Sequence, residues 1–453
     1  MFDKMMRWIK NTILRLMGQN STDLTISPEM ESLIMLWARM YEGTPDWCIH
    51  GKTLKLPVSI ASEFARLVVL EMQMEVKGGA RAVFIQDQLA PFLVSLRNYV
   101  EYACALGGAV FKPYVSDQRV LIDVVQADSF FPVSFDTSRR LTGAVFAEQI
   151  TRGNKIYTRL ESHEFENGTE TVKNRAYASS SSAALGNEIS LESVPEWVDL
   201  QPDASISNLD RPLFAYFRIP LANNKERRSP LGVSVYANAV EAIRDADEQY
   251  GRLLWEYDGG QLAIDVAECA IRPNADGTKS IPKREERLYR RSINATDANF
   301  YHAFAPSLRD ASYLAGLDDI LRKVEFQSNL SFGTFSNPQT VEKTATEVKT
   351  SKQRSYAAVK EIQTALQSAL DDLLYGVDKL AELYQLAPAG SYTAAYHWHD
   401  SVLEDEDAER ERDRQDVRDG FMQKWEYRVK WYKEDEATAK SMVASAPTLE
   451  GIF

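Results

Sequence analysis

Between Gln339 and Ala387 the chain runs without a proline, and apolar or aromatic side chains recur at 341, 345, 348, 356, 359, 362, 366, 370, 373, 377, 380 and 384. Steps of three and four put such residues on one face of a helix. At 1.5 Å per residue, roughly 45 residues make a rod about 70 Å long, far beyond the usual helix of a globular domain. Gly376 is the only glycine inside it, and Pro388 with Gly390 supplies the stop. Periodicity alone describes a coiled-coil or bundle helix.

The segment that feeds this helix reads Phe332-Gly333-Thr334-Phe335-Ser336-Asn337-Pro338-Gln339. Gly333, Ser336, Asn337 and Pro338 form a turn cluster, while Phe332 and Phe335 are apolar where a loop ordinarily offers polar residues. The helix then opens at Val341 and carries Lys343-Thr344-Ala345-Thr346-Glu347.

Upstream, the pattern predicts helices over 27–48, 58–77 (closed by Gly78-Gly79) and 88–106. From 109 to 198, β-branched and aromatic residues alternate between turns, as in Val120–Val124 and Lys155–Leu160, which predicts an antiparallel sheet. Helical spacing returns over 233–257 and 308–330, around an insert of about fifty residues. On the first of these helices Glu241, Asp245, Asp247, Glu248 and Glu256 oppose Arg244 and Arg252 on the polar face. The insert has a basic run over 279–291, where Lys279, Lys283, Arg284, Arg287, Arg290 and Arg291 face only Glu285 and Glu286, a net of +4. That run is either a solvated turn or a rim facing an acidic partner. Residues 404–419 mix nine acids with four arginines, as an exposed helix laced with ion pairs does. Trp425, Tyr427, Trp431 and Tyr432 follow, aromatics suited to a subunit or capsid contact.

With 453 residues and 44% hydrophobic content, the chain can fill two or three domain cores. Cys48, Cys104 and Cys269 are scattered and odd in number, so neither a disulfide framework nor a zinc knuckle is expected, and a reducing cytoplasm fits. No apolar run is long enough to span a membrane. Residues 1–17 are basic and amphipathic without the leading charges and cleavage site of a signal peptide; a membrane surface is one reading, and a peripheral helix on the body or a neighbouring subunit is the favoured one. A net charge of −13 argues against gripping nucleic acid by phosphate neutralisation.

No phosphate loop, dinucleotide fingerprint, H-E-x-x-H or G-x-S-x-G motif is present, so neither nucleotide hydrolysis nor another enzymatic activity is expected, and no cofactor. His397-Trp398-His399-Asp400 is the one constellation with metal-ligand character. In a strand His397 and His399 share a face, and Asp400 or a distant carboxylate would complete the set; the competing reading is an exposed strand face.

Four separated segments resemble one family in the same order. Ala105–Tyr114 with Ile122–Val133 is similar to the wing strands of portal (connector) proteins of long-tailed double-stranded DNA bacteriophages. Ser229–Ser234 resembles the entry to their first stem helix, and Phe332–Glu347 their tunnel loop and long helix. Asp400–Asp405 with Glu426–Tyr432 is similar to their C-terminal region. The resemblance implies an α+β portal fold with these parts: an arm over 1–25, a wing over 26–232, stem helices over 233–258 and 308–331, a clip over 259–307, the tunnel loop and start of the long helix over 332–345, the long wing helix and a strand over 346–400, and a helical crown over 401–453.

Its further implications are a homo-oligomeric ring, commonly of twelve subunits in the family, at the capsid vertex of the virion and built in the host cytoplasm. Double-stranded DNA would pass through the axis during packaging and ejection, past a tunnel loop formed by Phe332–Gln339 and a stem lined by Glu241, Asp245, Glu248 and Glu256. An acidic wall suits passage better than a basic grip. Lys283, Arg284, Arg287, Arg290 and Arg291 of the clip would dock the terminase large subunit or a head-tail connector (adaptor). Major capsid and scaffold proteins would be further partners, and no membrane. Two other readings stay open: a metal-dependent hydrolase centred on His397 and His399, and a helical phage scaffold or baseplate component.

Overall fold

The computed structural model describes residues 26–48, 52–181, 184–267, 289–292, 301–304, 306–338, 345–398, 406–432 and 434–444. The chain divides into two compact units, one of 1–69 with 75–394 and one of 70–74 with 395–453. Both helices and sheets contribute, so the class is α+β.

The larger unit opens with α1 (Pro28–Glu42), whose N-terminal amides are capped by Ser27, and α2 (Leu56–Val69). The expected 27–48 helix is shorter because Gly43 takes a left-handed φ of 76° and its N–H closes on Arg39 and Met40. The expected 58–77 helix is corrected more deeply. After Val69 the chain becomes strand β1 (Met72–Gly78), which pairs with β14 (Tyr392–Trp398), and Gly79 caps the next helix instead of ending the last one. That next helix, α3 (Ala80–Leu106), begins two turns before the predicted Gln88 and carries Pro91 on its exposed side, where the missing N–H forfeits only one bond.

The sheet region is antiparallel, as expected, but forms two sheets. One has the order β10 (Ala215–Arg218), β2 (Gly108–Ser116), β3 (Arg119–Gln126). The other runs β4 (Phe130–Phe135), β5 (Leu141–Arg152), β6 (Lys155–Glu166), β7 (Thr169–Ser179), β8 (Asn187–Ile189), with β9 (Asp203–Ser207) also on β7. Phe131, Val133, Val145, Leu160, Tyr177 and Leu185 make one core of the larger sheet.

The segment 229–236, expected to begin a helix, is instead a buried irregular crossing. A Cβ on Gly107, at φ +94°, would lie 2.6 Å from the Gly232 carbonyl oxygen, and a Cβ on Gly232 would lie closer still to that of Gly107. Two glycines let the backbones cross, and the chain turns helical only at 237. Helix α4 (Val240–Gly259) and helix α5 (Asp310–Gln327) then run antiparallel, joined through Glu256–Arg309 and Gln249–Tyr313 contacts. Between them lies a three-stranded sheet, β11 (Ala263–Ala267) flanked by β12 (Tyr289–Ser292) in parallel and β13 (Tyr301–Phe304) antiparallel.

The long helix is α6 (Ala345–Leu383), 39 residues. Val359, Ile362, Leu366, Leu370, Leu373, Val377 and Leu380 are buried as the periodicity requires, against β10 and β2 among others. Gly376 is needed there: a Cβ would sit 2.7 Å from the Leu213 carbonyl oxygen. Tyr384, the last residue of the expected stripe, lies beyond the helix and is exposed.

The smaller unit holds α7 (Glu406–Asp419), α8 (Lys424–Tyr432) and α9 (Glu436–Ala444). Here Trp431 donates to Asp413 at 2.7 Å, and Arg410 and Arg414 donate to the Tyr427 hydroxyl at 3.2 and 3.1 Å. These two aromatics, read from sequence as contact residues, are therefore engaged by α7, whereas Phe421 and Tyr432 stay exposed.

Candidate channel segment

The residues singled out by sequence fall on three connected pieces: α4, the α4–α5 insert, and the turn after α5. On α4, Glu241, Asp245, Glu248, Arg252 and Trp255 follow one another at steps of four and three and are all exposed. This is a single charged face ending in an apolar residue. Glu256 is not on it. Its carboxylate is buried and accepts from the Arg309 backbone N–H at 3.0 Å and the Arg309 guanidinium at 2.7 Å, which together hold it below its ordinary range. It ties α4 to the start of α5.

Asp247, assigned by sequence to the polar face, is also corrected. It is buried and accepts from Trp47 Nε1 at 3.0 Å, Thr53 Oγ1 at 3.0 Å and the Leu54 N–H at 2.8 Å. Helix α4 is thereby anchored to the segment between α1 and α2. No local pattern could have shown this, since the partners lie about two hundred positions away in sequence.

In the insert, Arg290 and Arg291 stand on β12 opposite Asp265 and Val266 of β11. Lys283, Arg284 and Arg287 lie outside the described residues, as do Gln339, His399 and Asp400. His397 is exposed on β14, and among the described residues no group of three His, Cys, Asp or Glu is placed to hold a metal ion.

After α5 the chain reverses through Asn329, at φ 58°, and Gly333, at φ 88°. The turn to Pro338 is compact. Ser336 is buried, Phe335 and Gly333 are half-buried, and Phe332, Thr334, Asn337 and Pro338 are exposed. Thr334 Oγ1 donates to the Ser331 carbonyl, and the Asn337 N–H to Asp318, both at 2.6 Å. Ser331 and Ser355 share a hydroxyl hydrogen bond at 2.9 Å, which fastens the turn to α6. The Arg354 guanidinium stacks 3.9 Å over the exposed ring of Phe326 at the same end of α5.

A second polar network lies in the larger sheet. His163 is buried with Nδ1 2.6 Å from Glu170 and Nε2 2.9 Å from Glu161. Burial disfavours its charge, but hydrogen bonds to the two glutamates and their charges outweigh burial and push it up to about 9. Burial likewise works against ionised Glu161, and Lys112, His163 and Arg159 overcome it, holding that carboxyl well below its ordinary range. Glu170 also takes the Leu213 N–H at 2.6 Å, next to the carbonyl that crosses Gly376 of α6.

The family model described as phage portal protein, SPP1 Gp6-like, matches residues 92–424, nearly three quarters of the chain. No curated protein matches it. Among the described residues no helix is long and apolar enough to cross a membrane.

Proposed function

The chain belongs to the SPP1 Gp6-like family of phage portal proteins, and from that premise we propose how its parts divide the work. As a portal protein it is a structural component of the capsid vertex, working as an oligomeric ring with capsid and packaging partners. The finer reading is a dodecamer whose axis passes double-stranded DNA inward during packaging and outward on ejection. Residues 26–232 with α6 form the wing, α4 and α5 the stem, β11–β13 the clip, Phe332–Gln339 the tunnel loop, and the C-terminal helices the crown.

The observation that carries this reading is the order of elements: an antiparallel helix pair around a small sheet, then a tight turn, then a 39-residue helix. A helix pair with one charged outer face buries too little by itself, and neighbouring pairs in a ring would cover the rest. Glu241, Asp245 and Glu248 face the bore. They present like charge to the phosphates, so DNA slides without ion pairs to break. Glu256 serves the bore indirectly, by fixing α4 to α5. The clip arginines dock the terminase large subunit and then the adaptor, and the wing meets capsid and scaffold proteins.

The test is electron microscopy and native mass measurement of the purified chain. Closed rings at a twelvefold multiple of 51.2 kDa are expected. A protein that stays monomeric across salt and concentration would overturn the reading.

A further inference from the structure

Glu325, near the end of α5, is completely buried. A carboxylate taken out of water has to be satisfied by donors or by a cation. The Phe335 and Ser336 N–H groups donate to its Oε1 at 2.6 and 2.8 Å, and the Gly333 N–H and Ser336 hydroxyl to its Oε2 at 3.1 and 2.8 Å. All four donors belong to the turn that follows the helix. Both oxygens are used, and three of the bonds fix backbone, so one side chain on α5 gathers 333–336; within the turn the Gly333 N–H also reaches the Ser336 hydroxyl at 3.2 Å. Gly333 is held at φ 88°, which only glycine adopts without strain. Asp318, about two turns earlier on the same helix, takes the next amide, that of Asn337.

We propose that Glu325 is the positioning residue of the channel turn. It clamps Gly333–Ser336 onto the end of α5, so that Phe332 and Thr334 project from a fixed knob at the junction of α5 and α6. The clamp makes the first half of the turn rigid. A knob of this kind meets DNA by shape and an apolar edge, not by phosphate pairing. The inference rests on the portal reading for what the turn faces, but not for the clamp itself.

Amide hydrogen exchange on the full-length protein tests it, with Glu325→Gln as the variant. Whichever way the new amide turns, its NH₂ faces at least one backbone N–H, so a bond of the clamp is lost. The Gly333, Phe335 and Ser336 amides should be protected in the wild type. At least one of them should exchange about ten- to a hundredfold faster in the variant, as loss of a buried hydrogen bond implies. Rings should still form, and DNA packaging by those rings should fall. Glu325→Asp, which keeps the charge but shortens the reach, should lie between. If Glu325→Gln does not fold, Glu325→Asp decides at Phe335, whose N–H reaches Glu325 at 2.6 Å: faster exchange there supports the clamp, and unchanged exchange refutes it. Unprotected wild-type amides, or a released turn with packaging unchanged, overturn the proposal. Protected amides in a chain that never forms rings would sink the channel reading and leave the clamp standing.

Discussion

The imidazole of His163 is bonded at both nitrogens to glutamates, Glu170 buried and Glu161 half-buried, and the sign of its effect on stability follows. Its folded value of about 9 lies above the ordinary 6.5, so its contribution is fully present below about pH 6.5 and is lost as pH rises through 9. The displacement corresponds to on the order of 3 kcal/mol. Glu161 has the opposite sign: its contribution is present above its ordinary 4.5 and is lost in acid. Urea unfolding should therefore show stability falling between pH 7 and pH 9.5, and His163→Gln should flatten that slope while costing about 2–5 kcal/mol at pH 7. An unchanged slope would mean that His163 is neutral in the folded protein. The Gly107–Gly232 crossing makes a second residue-level prediction. Gly232→Ala should cost at least about 1–3 kcal/mol by calorimetry, because the atom it would meet is backbone and not a side chain that can move aside. A melting temperature equal to the wild type's would show that the crossing relaxes.

Along α6 the helical stripe was legible because burial and periodicity agree at seven successive stripe positions from Val359 to Leu380, and the packing partners follow from nothing more local. Leu373→Ala, at a fully buried position, should cost about 2–5 kcal/mol, whereas Tyr384→Ala, which is 53% exposed, should stay within about 0.5 kcal/mol. Urea midpoints of the two variants compare them directly; equal losses would show that the stripe does not carry the helix. Boundaries were less legible, for identifiable reasons. Met72, Met74 and Val76 alternate as a strand does, yet they continue an apolar helix closely enough to be read as part of it. Pro91 suits the first turn of a helix expected from 88, but the helix starts two turns earlier and carries the proline inside, on its exposed side. The acids were hardest to place. Asp247, Glu256 and Glu325 carry no mark that separates them from Glu241 or Glu248 on a helix face, because what buries them comes from another part of the chain: Thr53, Arg309 and the turn at 333–336. Function was legible from the ordered resemblance of four segments, whereas the clamp at the channel turn was not, since it exists only once the turn has folded back.

For the whole molecule, charge is distributed in a way that matters for docking. The chain carries −13 overall while the stretch 279–291 carries +4, so an approaching acidic partner is repelled by most of the surface and attracted by one short insert. Such steering raises association rates more than it deepens the bound state, and it decays over a Debye length of about 8 Å at physiological ionic strength. In our reading the insert is the clip, carried at the far end of the α4–α5 pair from the wing, where a motor or adaptor would meet the ring. Reversing Lys283, Arg284 and Arg287 to glutamate should leave ring formation intact, because in this reading the ring closes through neighbouring α4–α5 pairs and not through the insert. It should slow association of the terminase large subunit at low salt by about 10-fold or more, and the difference from the wild type should shrink as salt is added. Stopped-flow or surface-binding rates over a salt series measure this. Equal association rates at low salt would leave the basic run as a solvated turn and move the docking surface elsewhere on the ring.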